Sequence, residues 1–270
     1  MSITSDFHLH TAFSEDSDTP MEEMILSAIA KGLTSICITE HMDHLFPEQY
    51  GSFQVDTEAC FQEYLRLKAK YGRQIEVLFG LELGMQPGTE TYYRELSKQY
   101  PFDFLIASQH LTERQDPYYA EFWNGRSAED GLRSYYQEML ANLRQMPDEA
   151  FDTLGHLDYI VRYANKHIPD FITPDCSDLT DEILRTLIAG NKCLEVNTAG
   201  LKYGLEHPNP HEDILRRYLE LGGTRITIGS DAHRPEHIAY DFDAAASILK
   251  ELGFTEYTIF RQRRPYTVSL

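Results

Sequence analysis

Asp6-Phe7-His8-Leu9-His10 opens the chain with two histidines two residues apart in a short apolar run, and Ile226-Thr227-Ile228-Gly229-Ser230-Asp231-Ala232-His233 closes a later run with the same spacing. In an extended strand, residues i and i+2 point to one face, so each pair presents both of its polar groups together. Between them come further apolar runs that also end on metal-type residues. These are Ser35-Ile36-Cys37-Ile38-Thr39-Glu40-His41, Val77-Leu78-Phe79-Gly80-Leu81-Glu82, Phe104-Leu105-Ile106-Ala107-Ser108-Gln109-His110, Thr153-Leu154-Gly155-His156 and Leu194-Glu195-Val196-Asn197. Candidate ligands at the C-terminal ends of successive strands predict a barrel with one polynuclear metal site at its mouth.

Helical segments alternate with these runs. Met21 to Lys31 reads as a helix with Thr19 as N-cap, Pro20 at the first helical position and Gly32 as the stop. Further helices are predicted from Ala59 to Tyr71, Glu90 to Gln99, Ser127 to Arg144, Ser177 to Ala189, His211 to Leu221 and Asp241 to Leu252. About seven strand–helix units result, which predicts an α/β fold: a parallel sheet or barrel with helices outside, in a single domain. Residues 111–125, with Trp123 and several tyrosines, read as a long loop over the mouth. Arg261, Arg263 and Arg264 read as a solvated basic tail.

A chain of 270 residues with 42% hydrophobic residues can bury a full core. No apolar run reaches the roughly 20 residues that span a bilayer. No basic region followed by an apolar stretch marks residues 1–10, so no export signal is expected. The four cysteines, Cys37, Cys60, Cys176 and Cys193, are widely spaced and suit a reduced, cytoplasmic setting. A formal net charge of -19 argues against nucleic-acid and anionic-membrane partners. It does not exclude a small phosphorylated substrate, because bound cations reverse the local field. Oligomeric state is not legible.

Mixed imidazole and carboxylate donors without cysteine suit zinc, manganese or iron. Glu82, ending an apolar strand, is a carboxylate that two cations could share, and would be costly there if unpaired.

As an ordered set, His8-x-His10, Glu40-His41, Glu82, His110, His156 and Asp231-x-His233 resemble the PHP (polymerase and histidinol phosphatase) superfamily over residues 6–237. Phe7-His8-Leu9-His10-Thr11, Thr39-Glu40-His41, Gly80-Leu81-Glu82 and the segment Asn197 to Lys202 are most similar to its histidinol-phosphate phosphatase branch in histidine biosynthesis. The resemblance implies a distorted (β/α)7, TIM-like barrel over 1–270 that hydrolyses phosphoesters with two or three divalent ions. His8, His10, Glu82 and Asp231 would hold one ion, and Glu82 would bridge to a second held by His110 and His156. A third would be held by His41, His233 and an acid after the first strand; Asp16 fits the spacing best, with Glu15 and Asp18 as competitors. Glu40 would orient a ligand histidine.

Arg162 and Lys202 are expected on loops at the mouth, and the same branch places phosphate-binding basic groups at these positions, often with arginine where this chain has Lys202. Asp231 and His233 are the candidates for proton handling, with Arg162 stabilising phosphoryl charge. His207, His237, Arg126 and Trp123 are further candidates for the mouth. Two other readings stay open: a PHP phosphoesterase acting on a nucleotide or another small phosphate ester, and a noncatalytic metal-binding regulatory domain.

Overall fold

Strand β2, Ser35–Met42, is buried along its whole length, and β3, Glu76–Gly84, along all but its first residue. Burial on both faces is what a parallel sheet covered by helices demands. A computed structural model describes residues 3–270. Seven strands form one parallel sheet in chain order: β1 Ser5–Asp6, β2, β3, β4 Phe104–Ser108, β5 Thr153–Leu154, β6 Cys193–Asn197 and β7 Ile226–Gly229. The sheet curls until its edges meet. Phe7 N donates to Ile228 O at 3.0 Å, Asp231 N to His8 O at 2.8 Å and His10 N to Ala232 O at 2.8 Å. The first and last strands are therefore neighbours in a nearly closed seven-stranded barrel, and closure brings His8-x-His10 beside Asp231-x-His233. A Cβ on Gly229 would overlap His8 Cβ, so the seam needs a residue without a side chain there.

Helices Met21–Ala30, Thr57–Tyr71, Glu90–Gln99, Ala128–Gln145, Ser177–Ala189, Glu212–Glu220 and Phe242–Leu252 agree with the sequence reading to within one or two residues at each end. The Thr19 cap does not form. Pro20 occupies the N-cap position without a side-chain cap bond, and Thr19 Oγ1 instead donates to His233 O at 3.0 Å. The second helix begins earlier than expected because Asp56 accepts from Ala59 N and caps it. Residues 111–125 are not all loop: a short helix, Ala120–Trp123, turns Trp123 inward, with its indole donating to Pro117 O at 2.9 Å. Trp123 is therefore part of the core and not of the mouth.

The basic C-terminal run is not a solvated tail. Arg261 and Arg264 belong to β8, Glu256–Arg261, and β9, Arg264–Ser269, an antiparallel hairpin. Arg261 makes two hydrogen bonds to Glu76, each 2.6 Å, at the start of β3. Gln262 N donates to Asp103 Oδ1 at 2.9 Å, and Arg263 Nε to Asp152 Oδ2 at 2.5 Å. Asp103 and Asp152 immediately precede β4 and β5. The hairpin thus covers the N-terminal end of the barrel, and Phe260 reaches Phe104 with ring centroids 5.2 Å apart. Dense charge in a sequence suggests exposure, but Arg261 and Arg263 each have a carboxylate at a strand entrance. Among the described residues, no helix is long and apolar enough to cross a membrane.

Candidate metal centre

At the opposite end of the barrel the histidines converge on Glu82. One carboxylate oxygen, Oε2, lies 3.3 Å from His8 Nε2, 3.5 Å from His10 Nε2 and 2.9 Å from His41 Nδ1. The other, Oε1, lies 3.1 Å from His110 Nε2 and 2.9 Å from His156 Nε2. Glu82 is 1% exposed, so both oxygens are withdrawn from water and face two separate imidazole sets. Asp231 Oδ1 lies 3.4 Å from His10 Nε2 and 3.8 Å from His8 Nε2. Asp16 sits between His41 Nε2 and His233 Nε2, at 3.7 and 3.2 Å. Glu15 and Asp18 pair with none of these histidines among the described residues. All nine metal-ligand candidates thus surround one cavity mouth.

The outer partners fix which way the rings face. His8 Nδ1 donates to Glu195 Oε1 at 2.6 Å, and His110 Nδ1 to Asp43 Oδ1 at 2.7 Å. Ser14 Oγ gives its proton to Glu40 Oε2 at 2.6 Å and so accepts from His10 Nδ1 at 3.0 Å. Each bond leaves Nε2 with its lone pair toward the centre, the arrangement that metal-bound histidines share. Glu40 therefore orients a candidate ligand through Ser14 and not by direct contact. Asp43 and Glu195 were missed in the sequence, although Glu195 is an acid in the middle of an apolar strand. Gly84 makes room for Asp43, since a Cβ there would overlap the carboxylate.

The donor set fits transition ions. His8 Nε2, His10 Nε2, His41 Nδ1, His233 Nε2 and Glu82 Oε2 are buried atoms without a hydrogen-bond partner. Four groups have their donor atoms within 4.8 Å of one another: His10, His41 and His233; His8, His10 and Glu82; His41, Asp43 and His110; and Glu82, His110 and His156. Such a concentration of unpaired buried donors is costly without a cation to share them.

Electrostatics point the same way. Burial by itself depresses His8, but the carboxylates of Glu195, Glu82 and Asp231 outweigh it and hold the ring well above its ordinary value. Burial also opposes the rise at His110, where Asp43 and Glu82 win and lift it to about 10. His10 goes the other way, to about 3, because burial combines with the neighbouring His41 and His233. Burial would raise Glu82, yet His8, His110 and His41 hold it well below the carboxylate range.

A cavity of about 600 Å³ opens over the cluster. Arg162 lines it from the first turn of a helix, Ile160–His167, and not from the loop that the sequence suggests. Burial of Ile160, Val161, Tyr163 and Ala164 on one face explains the helix. The Arg162 guanidinium lies over the Tyr203 ring, 3.2 Å from its centroid. Lys202 ends another short helix, Ala199–Lys202; its ammonium donates to Asp231 O at 3.1 Å and lies outside the cavity lining. His237 lines the cavity. His207 lines a separate cleft with His211, and Arg126 is paired with Glu113 away from the mouth.

The PHP domain profile matches residues 6–199 of this chain. The chain belongs to the PHP family. A probable histidinol-phosphatase of Clostridium acetobutylicum is 36% identical over 247 residues, covering 91% of this chain and 92% of that protein. The histidinol-phosphatase of Lactococcus lactis subsp. lactis is 32% identical over 256 residues, covering 94% and 93%. The crystal structure of histidinol phosphate phosphatase from Lactococcus lactis, complexed with Zn, L-histidinol and phosphate, superposes with a TM-score of 0.84 at 29% identity, covering 97% of this chain and 98% of that one. The residues matched to the PHP domain include the donors from His8 to His156, and Asp231 and His233 lie beyond them.

Proposed function

We propose that this chain hydrolyses L-histidinol phosphate to L-histidinol and phosphate in histidine biosynthesis, as a metal-dependent phosphomonoesterase. The observation that carries the reading is the Glu82 carboxylate, with each oxygen facing its own set of imidazoles, in a chain similar along nearly its full length to histidinol phosphatases. Residues 1–270 act as one phosphoesterase domain in the cytoplasm, where four free, buried cysteines suit reducing conditions.

His8, His10, Glu82 and Asp231 would hold one ion; Glu82, His110 and His156 a second; Asp16, His41 and His233 a third. Zinc, manganese or iron bound there supplies Lewis-acid charge neutralisation and lowers the pKa of water toward neutrality. The chain's own groups do the rest. Arg162, stacked on Tyr203, holds phosphoryl oxygens and stabilises the charge that develops on them. Lys202 adds positive charge behind Asp231 and fixes its backbone. The side chains of Asp231 and His233 are 14% and 20% exposed, against 0% for His8 and His10. With Asp16, whose side chain is 43% exposed, they are the members of the cluster placed to exchange protons with solvent and substrate.

Steady-state hydrolysis of histidinol phosphate against a panel of nucleotides, sugar phosphates and phosphodiesters tests the reading. A specificity constant for histidinol phosphate at least about tenfold above the rest is expected. Preference for a nucleotide or another ester would reassign the substrate, and no hydrolysis after metal reconstitution would leave a noncatalytic metal-binding domain.

A further inference from the structure

Arg217, Arg261 and Arg263 each hydrogen-bond a carboxylate. Arg162 does not. Among the described residues nothing accepts a hydrogen bond from its guanidinium, although the residue is half-buried beside the cavity. Two rings hold it instead: Arg162 Cζ lies 3.2 Å from the centroid of Tyr203 and 5.1 Å from that of Tyr163. Tyr163 is buried, and its hydroxyl donates to Tyr159 Oη at 2.8 Å. Tyr203, the nearer ring, is 45% exposed and is placed by its backbone. Asn197 Oδ1, at the end of β6, accepts from Ala199 N at 2.9 Å, Tyr203 N donates to Ala199 O at 2.9 Å, and Gly204 turns the chain away with a φ of +81°. Lys202 Nζ approaches the same ring, 4.7 Å from its centroid.

A long, flexible cation can be fixed by a carboxylate or by a ring. A carboxylate occupies the N–H fork and cancels the charge, so a phosphate would have to displace it. The face of an aromatic ring attracts the guanidinium through its quadrupole and leaves the in-plane N–H groups unspent. All five donors of Arg162 stay available to an incoming anion. The same face offsets the repulsion between Arg162 and Lys202, which both approach it. Ordering the guanidinium beforehand also removes part of the entropy cost of binding.

We propose that Tyr203 is a positioning residue for the reaction: its ring holds the Arg162 guanidinium at the cavity with the fork unpaired, and it acts through Arg162 alone. The proposal rests on the phosphomonoesterase reading of the site and is independent of the leaving group. The ring face carries the effect, because the Tyr203 hydroxyl has no hydrogen-bond partner among the described residues.

A double-mutant cycle tests it, with zinc-loaded parent, Y203L, R162A and R162A/Y203L compared in kcat/KM for histidinol phosphate and in affinity for inorganic phosphate, and metal content measured alongside. Y203L should lower both quantities about 3- to 30-fold in the parent, the range for a partly desolvated cation–π contact, and by less than about twofold in R162A. Y203F keeps the ring and should recover most of the loss, whereas a leucine of similar bulk should not. No loss in Y203L, an equal loss with and without Arg162, or a loss that follows metal content would each overturn the proposal. If histidinol phosphate is not hydrolysed while phosphate affinity still falls only where Arg162 is present, the substrate reading fails and the role of Tyr203 stands.

Discussion

Glu195 on β6 receives the Nδ1 proton of His8 at 2.6 Å with one oxygen and the backbone N–H of His156 at 2.8 Å with the other. A single buried carboxylate thus aims a ring after β1 and fixes the backbone of a ring after β5. Glu195→Gln keeps the shape and removes the charge. Zinc affinity, measured by competition with a chelator, should fall about 10- to 100-fold, with the fold retained. Unchanged affinity would mean that Glu195 only fills the strand.

Glu82→Gln should weaken metal binding at two positions at once, because a neutral amide bridges two cations poorly. Elemental analysis should show loss of more than one ion per chain relative to the parent. Loss of a single ion with the rest intact would assign Glu82 to one site.

Arg162→Ala should lower kcat/KM for histidinol phosphate by about 10²-fold or more, with metal content and folding intact. Lys202→Ala should have a smaller effect, since an ammonium lacks the guanidinium fork and Lys202 Nζ is engaged by Asp231 O. Equal effects would place both groups on the phosphate.

Metal affinity should rise with pH. In the metal-free site His8, His41 and His233 are held above their ordinary range, against burial, by the carboxylates around them, and His110 is lifted to about 10. These protons must leave before nitrogen can bind an ion, so competition weakens as pH increases. Calorimetric zinc titrations in buffers of different ionisation enthalpy between about pH 6 and 8 should report net proton release. No proton release would show that the site is already deprotonated.

Arg263→Ala removes the partner of Asp152, which is 9% exposed at the start of β5. Leaving a buried carboxylate less satisfied should cost about 1–3 kcal/mol and lower Tm by several degrees. The hairpin lies at the far end of the barrel from the cavity, so kcat/KM of the folded protein should stay within about twofold of the parent. A large loss of activity at unchanged Tm would couple the two ends.

The sequence by itself determined the strand–helix alternation and the seven-unit count, and it offered nine candidate metal ligands, with Asp16 left beside Glu15 and Asp18. Ligation needs particular residue types, and their two-residue spacing is visible in His8-x-His10 and Asp231-x-His233, although both pairs lie just beyond β1 and β7 and Asp231 has a positive φ. It also carried Glu82, because an acid buried at the end of the apolar run of β3 is costly unless cations share it. What it left open was decided by long-range contacts. Barrel closure brings Glu195 to His8 across 187 positions, and the β2-β3-β4 order of the sheet brings Asp43, after β2, to His110, after β4, across 67. Neither pair shares a local spacing. The same holds for Arg261 and Arg263, whose partners at the entrances of β3 and β5 lie 185 and 111 positions away. Local sequence records which groups a strand end offers; which carboxylate receives each proton is set only when the sheet curls and its two edges meet.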